Sequence, residues 1–297
     1  MFALILSLLF VLMQGPPTST GWLEVSLVHD GMTRRAPLFV PSVLSDPAPL
    51  VVALHPAGTS PEQMAIITGF AQLASQSGWL VVFPEGPNGY WDYGAGTPEW
   101  EVLDDVRDDP GYLAALIESI AEVYTVDRSR IYAVGFSNGA RMAYRLACDL
   151  QLAGAAMVAA SISDEVTAIC SEDVVSIFML HGTEDTITPF DGKDLYVGDL
   201  RISHALSIPE TAQFFGRRNG CANPERELVF TSNTARVEIN RVRYPDCTDG
   251  ATVDAYVVVG GGHVWAPAAG FETSVLIWEF LAAHARPVPE ADDESGD

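Results

Sequence analysis

The chain has 297 residues, of which 48% are hydrophobic and 9% are aromatic, so it is long enough to bury the core of one large α/β domain. Its 39 acidic and 16 basic residues give a formal net charge of -23. Because such a surface repels polyanions, we expect no nucleic-acid partner and disfavour a polyanionic substrate.

The first segment is an uncharged apolar run over residues 2–13, with the sequence FALILSLLFVLM. It is short for a bilayer span and has the length of a signal-peptide h-region. A basic n-region and a clean A-x-A site are missing, so an uncleaved anchor or a misplaced start codon is the alternative. We expect residues 1–20 to be a leader, the protein to be secreted or periplasmic, and no stable membrane insertion after removal of the leader.

The next two segments predict an antiparallel hairpin. Residues 23–28 and 35–40 have strand composition, and Asp30-Gly31 between them is a turn pair. Continuous apolar runs follow, as expected for parallel strands that are covered on both faces. These predicted strands are 50–54, 79–83, 131–134, 174–180 and 253–259.

Helical patterns alternate with these strands, at 61–77, 110–124, 138–150, 209–218 and 271–285. The first has Ser60 as N-cap, Gln63 completing a capping box and Gly78 as its stop. The alternation predicts an α/β fold with a mostly parallel, doubly wound sheet and an N-terminal antiparallel hairpin. We expect one catalytic domain over residues 21–285 and an acidic, disordered tail over 286–297.

Two long irregular stretches, 85–109 and 191–207, interrupt this pattern, and loops of such length are often functional. The first carries Tyr90, Trp91, Tyr93 and Trp100. These aromatic side chains wall a substrate cleft or anchor the loop, and the sequence leaves both interpretations open.

The pentapeptide Gly135-Phe136-Ser137-Asn138-Gly139 lies between a predicted buried strand and a predicted helix. A serine on a sharp turn in this setting is the nucleophile elbow of α/β-hydrolases, and its glycines let strand and helix approach closely. We predict Ser137 as the nucleophile, and a packing turn is the alternative.

The acid and then the base follow the serine in this fold, each after a strand. Asp185 comes just after the predicted strand 174–180 and is the preferred acid. Glu184 is its near competitor, and Asp191 and Asp194 lie further along the loop.

His263 follows the last predicted strand through three glycines and is the preferred base. His204 has no strand before it, and His284 ends a helix. His55 and His181 accompany earlier strands, where we expect them to brace loops.

An oxyanion intermediate needs backbone N–H donors. We expect one from Asn138, the residue after the nucleophile. The other should come from the loop after residues 50–54, where Pro56 has no N–H. Ala57 is therefore the candidate, with Gly58 as the fallback.

Four cysteines are present, Cys148, Cys170, Cys221 and Cys247. Four cysteines allow three pairings; proximity in sequence favours Cys148–Cys170 and Cys221–Cys247, and reduced buried thiols are the alternative. No cysteine or histidine spacing resembles a zinc site, so we expect no metal.

Taken together, these motifs resemble the family of secreted esterases that contains polyhydroxybutyrate depolymerases and feruloyl esterases. The resemblance runs from about Gly21 to Ala285 and rests on the segments Leu54-His55-Pro56-Ala57-Gly58, Val82-Phe83-Pro84-Glu85, Gly135 to Gly139, His181 to Asp185, Asn219-Gly220-Cys221 and Gly260-Gly261-Gly262-His263-Val264-Trp265. Two departures are Pro56, where the family usually has glycine, and Ala266, which precedes Pro267 in a G-G-H-x-W-P pattern.

The resemblance implies a Ser137, Asp185 and His263 triad, an oxyanion hole at Ala57 and Asn138, and a Cys221–Cys247 disulfide. It also implies a serine esterase without cofactor that acts on a small or polymeric ester, of feruloyl or polyester type. Trp265 matches a family tryptophan, and we predict that it contacts the substrate together with Trp91. A peptidase-type hydrolase and a non-catalytic carbohydrate-binding module are the alternatives, and we expect a monomer.

Overall fold

The computed structural model describes residues 20–94, 107–197, 200–234 and 236–287, without the side chains of 195–203. Residues 1–19 of the predicted leader, Trp100 and all but the first two residues of the predicted tail lie outside these ranges. Among the described residues, no helix is long and apolar enough to cross a membrane.

Strands and helices alternate along the chain as predicted. The strands are β1 (Gly21–His29), β2 (Met32–Val40), β3 (Ala48–Leu54), β4 (Leu80–Val82), β5 (Val126–Phe136), β6 (Gly154–Val158), β7 (Ser176–Gly182), β8 (Lys193–Val197), β9 (Leu200–Ala205), β10 (Glu225–Ser232), β11 (Val237–Tyr244) and β12 (Val253–Val259). The helices are α1 (Pro61–Thr68), α2 (Phe70–Ser77), α3 (Asp109–Ala121), α4 (Asn138–Asp149), α5 (Asp164–Ile169), α6 (Ile208–Arg218) and α7 (Thr273–Ala282).

Ten of the described strands form one sheet in the order β1-β2-β4-β3-β5-β6-β7-β12-β11-β10. Its six central strands, β4 to β12 in that order, pair in parallel. The edge pairs β1–β2 and β11–β10 are antiparallel, and β8 and β9 form a separate ribbon. The α/β prediction and the N-terminal hairpin are confirmed, with Asp30 and Gly31 at positive φ in the turn.

The core has two layers, one on each face of the sheet, which explains the continuous apolar runs. In β3, Leu50, Val52 and Leu54 pack into one cluster. Val51 and Ala53 between them pack into the other. Because neighbouring residues of a strand point to opposite faces, a strand covered on both sides needs apolar residues throughout.

Two features of the sheet and its helices differ from the sequence prediction. The predicted helix 61–77 is divided into α1 and α2 at Gly69, whose φ of 61° is left-handed. Strands β6, β10 and β11 and helix α5 were not predicted, and β8 and β9 lie in the stretch 191–207 that was predicted to be irregular. β6 consists mostly of glycine and alanine and lacks the β-branched residues that usually indicate a strand. Most residues of β10 are exposed, so it has no apolar run.

Both predicted disulfides are present, Cys148–Cys170 and Cys221–Cys247. The first joins the end of α4 to the end of α5. The second joins the end of α6 to the segment between β11 and β12. The carboxyl ends of the parallel strands β3, β5, β7 and β12 meet at one edge of the sheet, and the loops after them carry the candidate site.

Candidate active site

Ser137 lies on a sharp turn between β5 and α4, with φ 56° and ψ −118°. A non-glycine residue at positive φ is strained, and such strain is often found at functional positions. The two glycines of the motif permit the turn: a Cβ on Gly135 would lie 2.1 Å from the Gly139 carbonyl oxygen, and one on Gly139 would lie 2.2 Å from that of Leu54. The serine is thus held on a turn that packs tightly against the end of β3.

Three side chains form a continuous hydrogen-bonded chain at this turn. The Ser137 Oγ lies 3.0 Å from His263 Nε2, and His263 Nδ1 lies 2.7 Å from Asp185 Oδ2. The ring of Phe136 stacks on the imidazole, with centroids 5.3 Å apart. This arrangement allows the imidazole to take the serine proton while the carboxylate holds the ring in one orientation.

Asp185 belongs to the loop of residues 183–190, called here the acid loop. The backbone N–H groups of Ile187 and Thr188 donate to its Oδ1 at 2.9 and 2.8 Å, and the Thr188 hydroxyl lies 2.8 Å from Oδ2. Burial raises the pKa of Asp185, but the hydrogen bonds from His263 and Thr188 outweigh it and lower the pKa to about 2. The carboxyl is therefore ionised at neutral pH and accepts the His263 Nδ1–H.

The competing acids and bases lie elsewhere. Glu184 and Asp191 are exposed, and Asp194 pairs with His204 at 2.8 Å. His284 donates from Nδ1 to the Phe280 carbonyl and contacts Thr252 through Nε2.

His181 braces the acid loop, because its buried Nε2 donates to the Thr188 carbonyl at 2.7 Å. Burial lowers the pKa of His181. Its Nε2 also lies 3.5 Å from Asp185 Oδ2, but it does not reach Ser137. The structure thus brings Asp185 and His263 together at Ser137.

The loop of residues 55–59, called here the oxyanion loop, packs against the same turn. The Gly58 N–H donates to the Gly89 carbonyl at 2.8 Å, so the fallback donor is already engaged. Asn138 is the first residue of α4 and is buried, and the N-terminus of a helix favours a developing negative charge. Ala57 and Asn138 remain the predicted donors.

The structure corrects the substrate-contact prediction for Trp91, whose side chain is 0% exposed. Its Nε1–H donates to the His55 carbonyl at 3.0 Å, and its backbone N–H donates to the Asn138 Oδ1 at 2.8 Å. Asn138 Nδ2 in turn donates to the Trp91 carbonyl. Trp91 therefore ties the oxyanion loop to the start of α4 instead of lining an open cleft.

Trp265 is largely buried, with 7% of its surface exposed, so its contact with substrate stays a prediction. Its Nε1–H donates to Ser274 Oγ at 3.0 Å, and its ring packs edge-on against Phe136 and Phe70. This tryptophan supports the ring that stacks on His263. Of the other loop aromatics, Tyr93 is buried and Tyr90 is half-buried, so anchoring is the interpretation that the described residues favour.

A buried ion pair that sequence reasoning missed holds the loop carrying Trp91. Arg34 Nη1 donates to Asp109 Oδ1 at 2.8 Å, and Asp109 Oδ2 accepts the Asp92 N–H at 2.7 Å. Arg107 donates to the carbonyls of Pro87 and Tyr90 in the same loop. These partners are 17 to 75 residues apart in sequence, so no local sequence pattern indicated them.

Comparison with known proteins finds sequence similarity to esterases. No model of a known protein family matches the chain. It is 27% identical over 235 residues to the putative esterase NocK of Nocardia uniformis, which covers 75% of this chain and 67% of that protein. It is 26% identical over 225 residues to feruloyl esterase B of Piromyces equi, covering 73% of this chain and 39% of that protein. The chain is a homologue of esterases.

Comparison with solved structures supports the assignment of the fold of this chain. The acetyl xylan esterase from Aspergillus awamori superposes with a TM-score of 0.57 and 18% identity, over 84% of this chain and 94% of that one. At this identity the likeness establishes the shared α/β-hydrolase fold. The chain spans 67% of NocK and 39% of the Piromyces enzyme.

Among the described residues of this protein, one group has the spacing of metal ligands: His29, Asp30 and Asp108. Their ligand atoms lie within 4.8 Å of one another. It is at the β1–β2 turn and includes no member of the predicted triad. His29 Nε2 is already 3.2 Å from Asp108 Oδ2.

Proposed function

We propose that this protein is a serine carboxylic ester hydrolase in which Ser137 is the nucleophile, His263 the general base and Asp185 the acid that orients it. The observation that carries the proposal is the hydrogen-bonded chain from Asp185 Oδ2 through His263 to Ser137 Oγ, at 2.7 and 3.0 Å. The strained turn at Ser137 and the ionised state of Asp185 support the same assignment.

The reaction proceeds through an acyl-enzyme. Ser137 Oγ forms a bond to the ester carbonyl carbon while its proton passes to His263 Nε2. The backbone N–H groups of Ala57 and Asn138 stabilise the resulting oxyanion. The tetrahedral intermediate breaks its bond to the alcohol, which leaves with the proton from His263. Water then attacks the acyl-enzyme by the same route, and the carboxylic acid and free Ser137 are released.

We propose a neutral ester of the feruloyl or polyester type as the substrate, either small or polymeric. The name of the Piromyces relative supports the feruloyl class, and the Aspergillus structural neighbour is an acetyl xylan esterase. The net charge of -23 disfavours polymers that carry free carboxylates. The names of these relatives give no support to the peptidase or the binding-module alternative.

We propose further that residues 21–285 form the catalytic domain and that the protein is exported by the leader at residues 1–20. Both disulfides suit an oxidising compartment. The N-terminal sequence of protein recovered outside the expressing cell tests this: a new N-terminus near residue 20 is expected, and an intact residue 1 contradicts it.

The test of function compares wild type with Ser137→Ala on methyl ferulate, a short 3-hydroxybutyrate oligomer and p-nitrophenyl butyrate. We expect wild type to hydrolyse at least one of them and Ser137→Ala to lose more than about 10³-fold in kcat, because the nucleophile is gone. Thermal unfolding of both proteins controls for folding. Retained activity in Ser137→Ala contradicts the proposal, and the better of the first two substrates assigns the ester class.

A further inference from the structure

The carbonyl oxygen of Pro56 lies next to the predicted oxyanion hole and controls one of its donors. This oxygen and the Ala57 N–H belong to the same peptide unit. Because a peptide unit is planar and trans, its C=O and N–H point in opposite directions. Whatever fixes the direction of the Pro56 oxygen therefore also fixes the direction of the Ala57 N–H.

Two side chains of the oxyanion loop converge on that oxygen. His55 Nδ1 lies 2.9 Å from it, and the Thr59 hydroxyl lies 2.7 Å from it. His55 is fully buried, and Thr59 is half-buried. A carbonyl oxygen has two lone pairs, so both acceptor positions of Pro56 are filled by side chains.

The partner of the other imidazole nitrogen defines the state of His55. The Gly86 N–H donates to His55 Nε2 at 2.9 Å, so this nitrogen is an acceptor and the proton is on Nδ1. Burial lowers the pKa of His55, against a smaller raising effect of the Pro56 hydrogen bond. The ring is therefore neutral at neutral pH and donates to Pro56 from Nδ1.

We propose that His55 and Thr59 are positioning residues that hold and polarise the Pro56–Ala57 peptide so that the Ala57 N–H faces the oxyanion. This inference rests on the proposed ester hydrolysis. Two donors on a carbonyl withdraw electron density from the peptide and strengthen its N–H as a donor. Pro56 adds a fixed φ of its own, and the Gly58–Gly89 hydrogen bond holds the far side of the loop.

This arrangement explains how a proline is accommodated at this position of the oxyanion loop. Pro56 contributes no N–H, but its carbonyl is the group that the two side chains hold. The proline stiffens the loop, and the hydrogen bonds select the one peptide orientation that serves Ala57.

The test replaces Thr59 by valine, which keeps the shape of the side chain and removes its hydroxyl. We expect kcat on p-nitrophenyl butyrate to fall about tenfold with KM nearly unchanged, since the lost interaction acts on the oxyanion and not on bound ester. Affinity for a trifluoromethyl ketone, which forms an oxyanion on Ser137, should fall by a similar factor. Thr59→Ser, which restores the hydroxyl, should recover both values.

Thr167→Val is the matched control. The Thr167 hydroxyl also donates to the carbonyl three residues before it, that of Asp164, at 2.8 Å, but it lies on α5 and outside the site. Thr167→Val should therefore leave kcat and the affinity for the trifluoromethyl ketone unchanged. If Thr59→Val lowers kcat no more than Thr167→Val, or raises KM instead, the inference is overturned.

A second variant guards against a folding defect. His55→Asn keeps a donor near the Nδ1 position and loses the acceptor for Gly86. We expect it to lose less kcat than His55→Leu, which lacks both groups, and equal losses contradict the proposed role of Nδ1. If wild type hydrolyses the ester, Ser137→Ala does not, and Thr59→Val has a normal kcat, the positioning inference is overturned while the proposed function stands. Inactivity of wild type on all three esters would instead count against the proposed function.

Discussion

The acid loop and the oxyanion loop serve the same site but are held in opposite ways. In the acid loop, Asp185 accepts hydrogen bonds from residues two and three positions ahead. In the oxyanion loop, His55 is held by Gly86 and Trp91, which are 31 and 36 residues away. The acid loop therefore follows largely from its own residues, whereas the oxyanion loop depends on a second loop.

The largest effect on kcat is expected from a substitution of the central residue of the acid loop. Asp185→Asn should lower kcat about 10⁴-fold, because an amide no longer stabilises the imidazolium or holds the reactive tautomer. Steady-state kinetics on p-nitrophenyl butyrate measure it. Glu184→Gln is the control, since Glu184 is adjacent in sequence and exposed, and it should behave as wild type. A loss below tenfold in Asp185→Asn contradicts the assigned role.

A smaller effect is expected from a residue distant in sequence from the oxyanion loop. Arg34→Met removes the partner that Asp109 contacts at 2.8 Å and leaves only Arg107, at 3.9 Å, beside this buried carboxylate. We expect a cost of about 3 kcal/mol in the free energy of unfolding. Since Asp109 also holds Asp92 beside Trp91, kcat should fall as well, at a temperature where the variant is folded. Urea unfolding and kinetics measure the two effects.

The matched control for Arg34→Met is Arg128→Met, which removes an exposed ion pair with Glu118. It should cost less than about 1 kcal/mol and leave kcat unchanged. If both variants lose the same stability, or if Arg34→Met keeps full kcat while destabilised, the dependence of the oxyanion loop on this buried pair is refuted.

The smallest expected effect is the change of the free energy of unfolding with pH. Burial lowers the pKa of His55 and of His181, one behind each loop, whereas a histidine of the unfolded chain titrates near about 6.5. As pH falls below that value, the unfolded chain binds protons that the folded protein does not. The free energy of unfolding should therefore decrease from pH 7 to pH 5.

Urea unfolding at several pH values measures this decrease, and His181→Gln should make it shallower. A second decrease in the free energy of unfolding is expected between about pH 4 and pH 2. The pKa of Asp185 is lowered to about 2 in the folded protein, so the unfolded chain binds a proton first as the pH falls through this range. An unfolding free energy that is constant or rises from pH 7 to pH 5 would contradict the neutral state of the buried histidines.

How much of the site could be predicted depended on how local its signals are. The turn at Ser137, the strand before Asp185 and the glycines before His263 are contiguous patterns, and the three side chains that they selected lie within hydrogen-bond distance of one another. The prediction for Trp91 was wrong because the sequence of a long loop does not distinguish an aromatic side chain that lines a cleft from one that is buried.

By itself, the sequence determined the alternation of strands and helices, the N-terminal hairpin and the disulfide pairs, since each follows from periodicity, turn residues or proximity along the chain. Only the tertiary structure decided that Arg34 pairs with Asp109, that Trp91 joins His55 to Asn138, and that the Gly86 N–H binds the imidazole of His55. The physical reason is that buried polar groups must find partners wherever the folded chain places them, and those partners leave no periodic trace in the sequence.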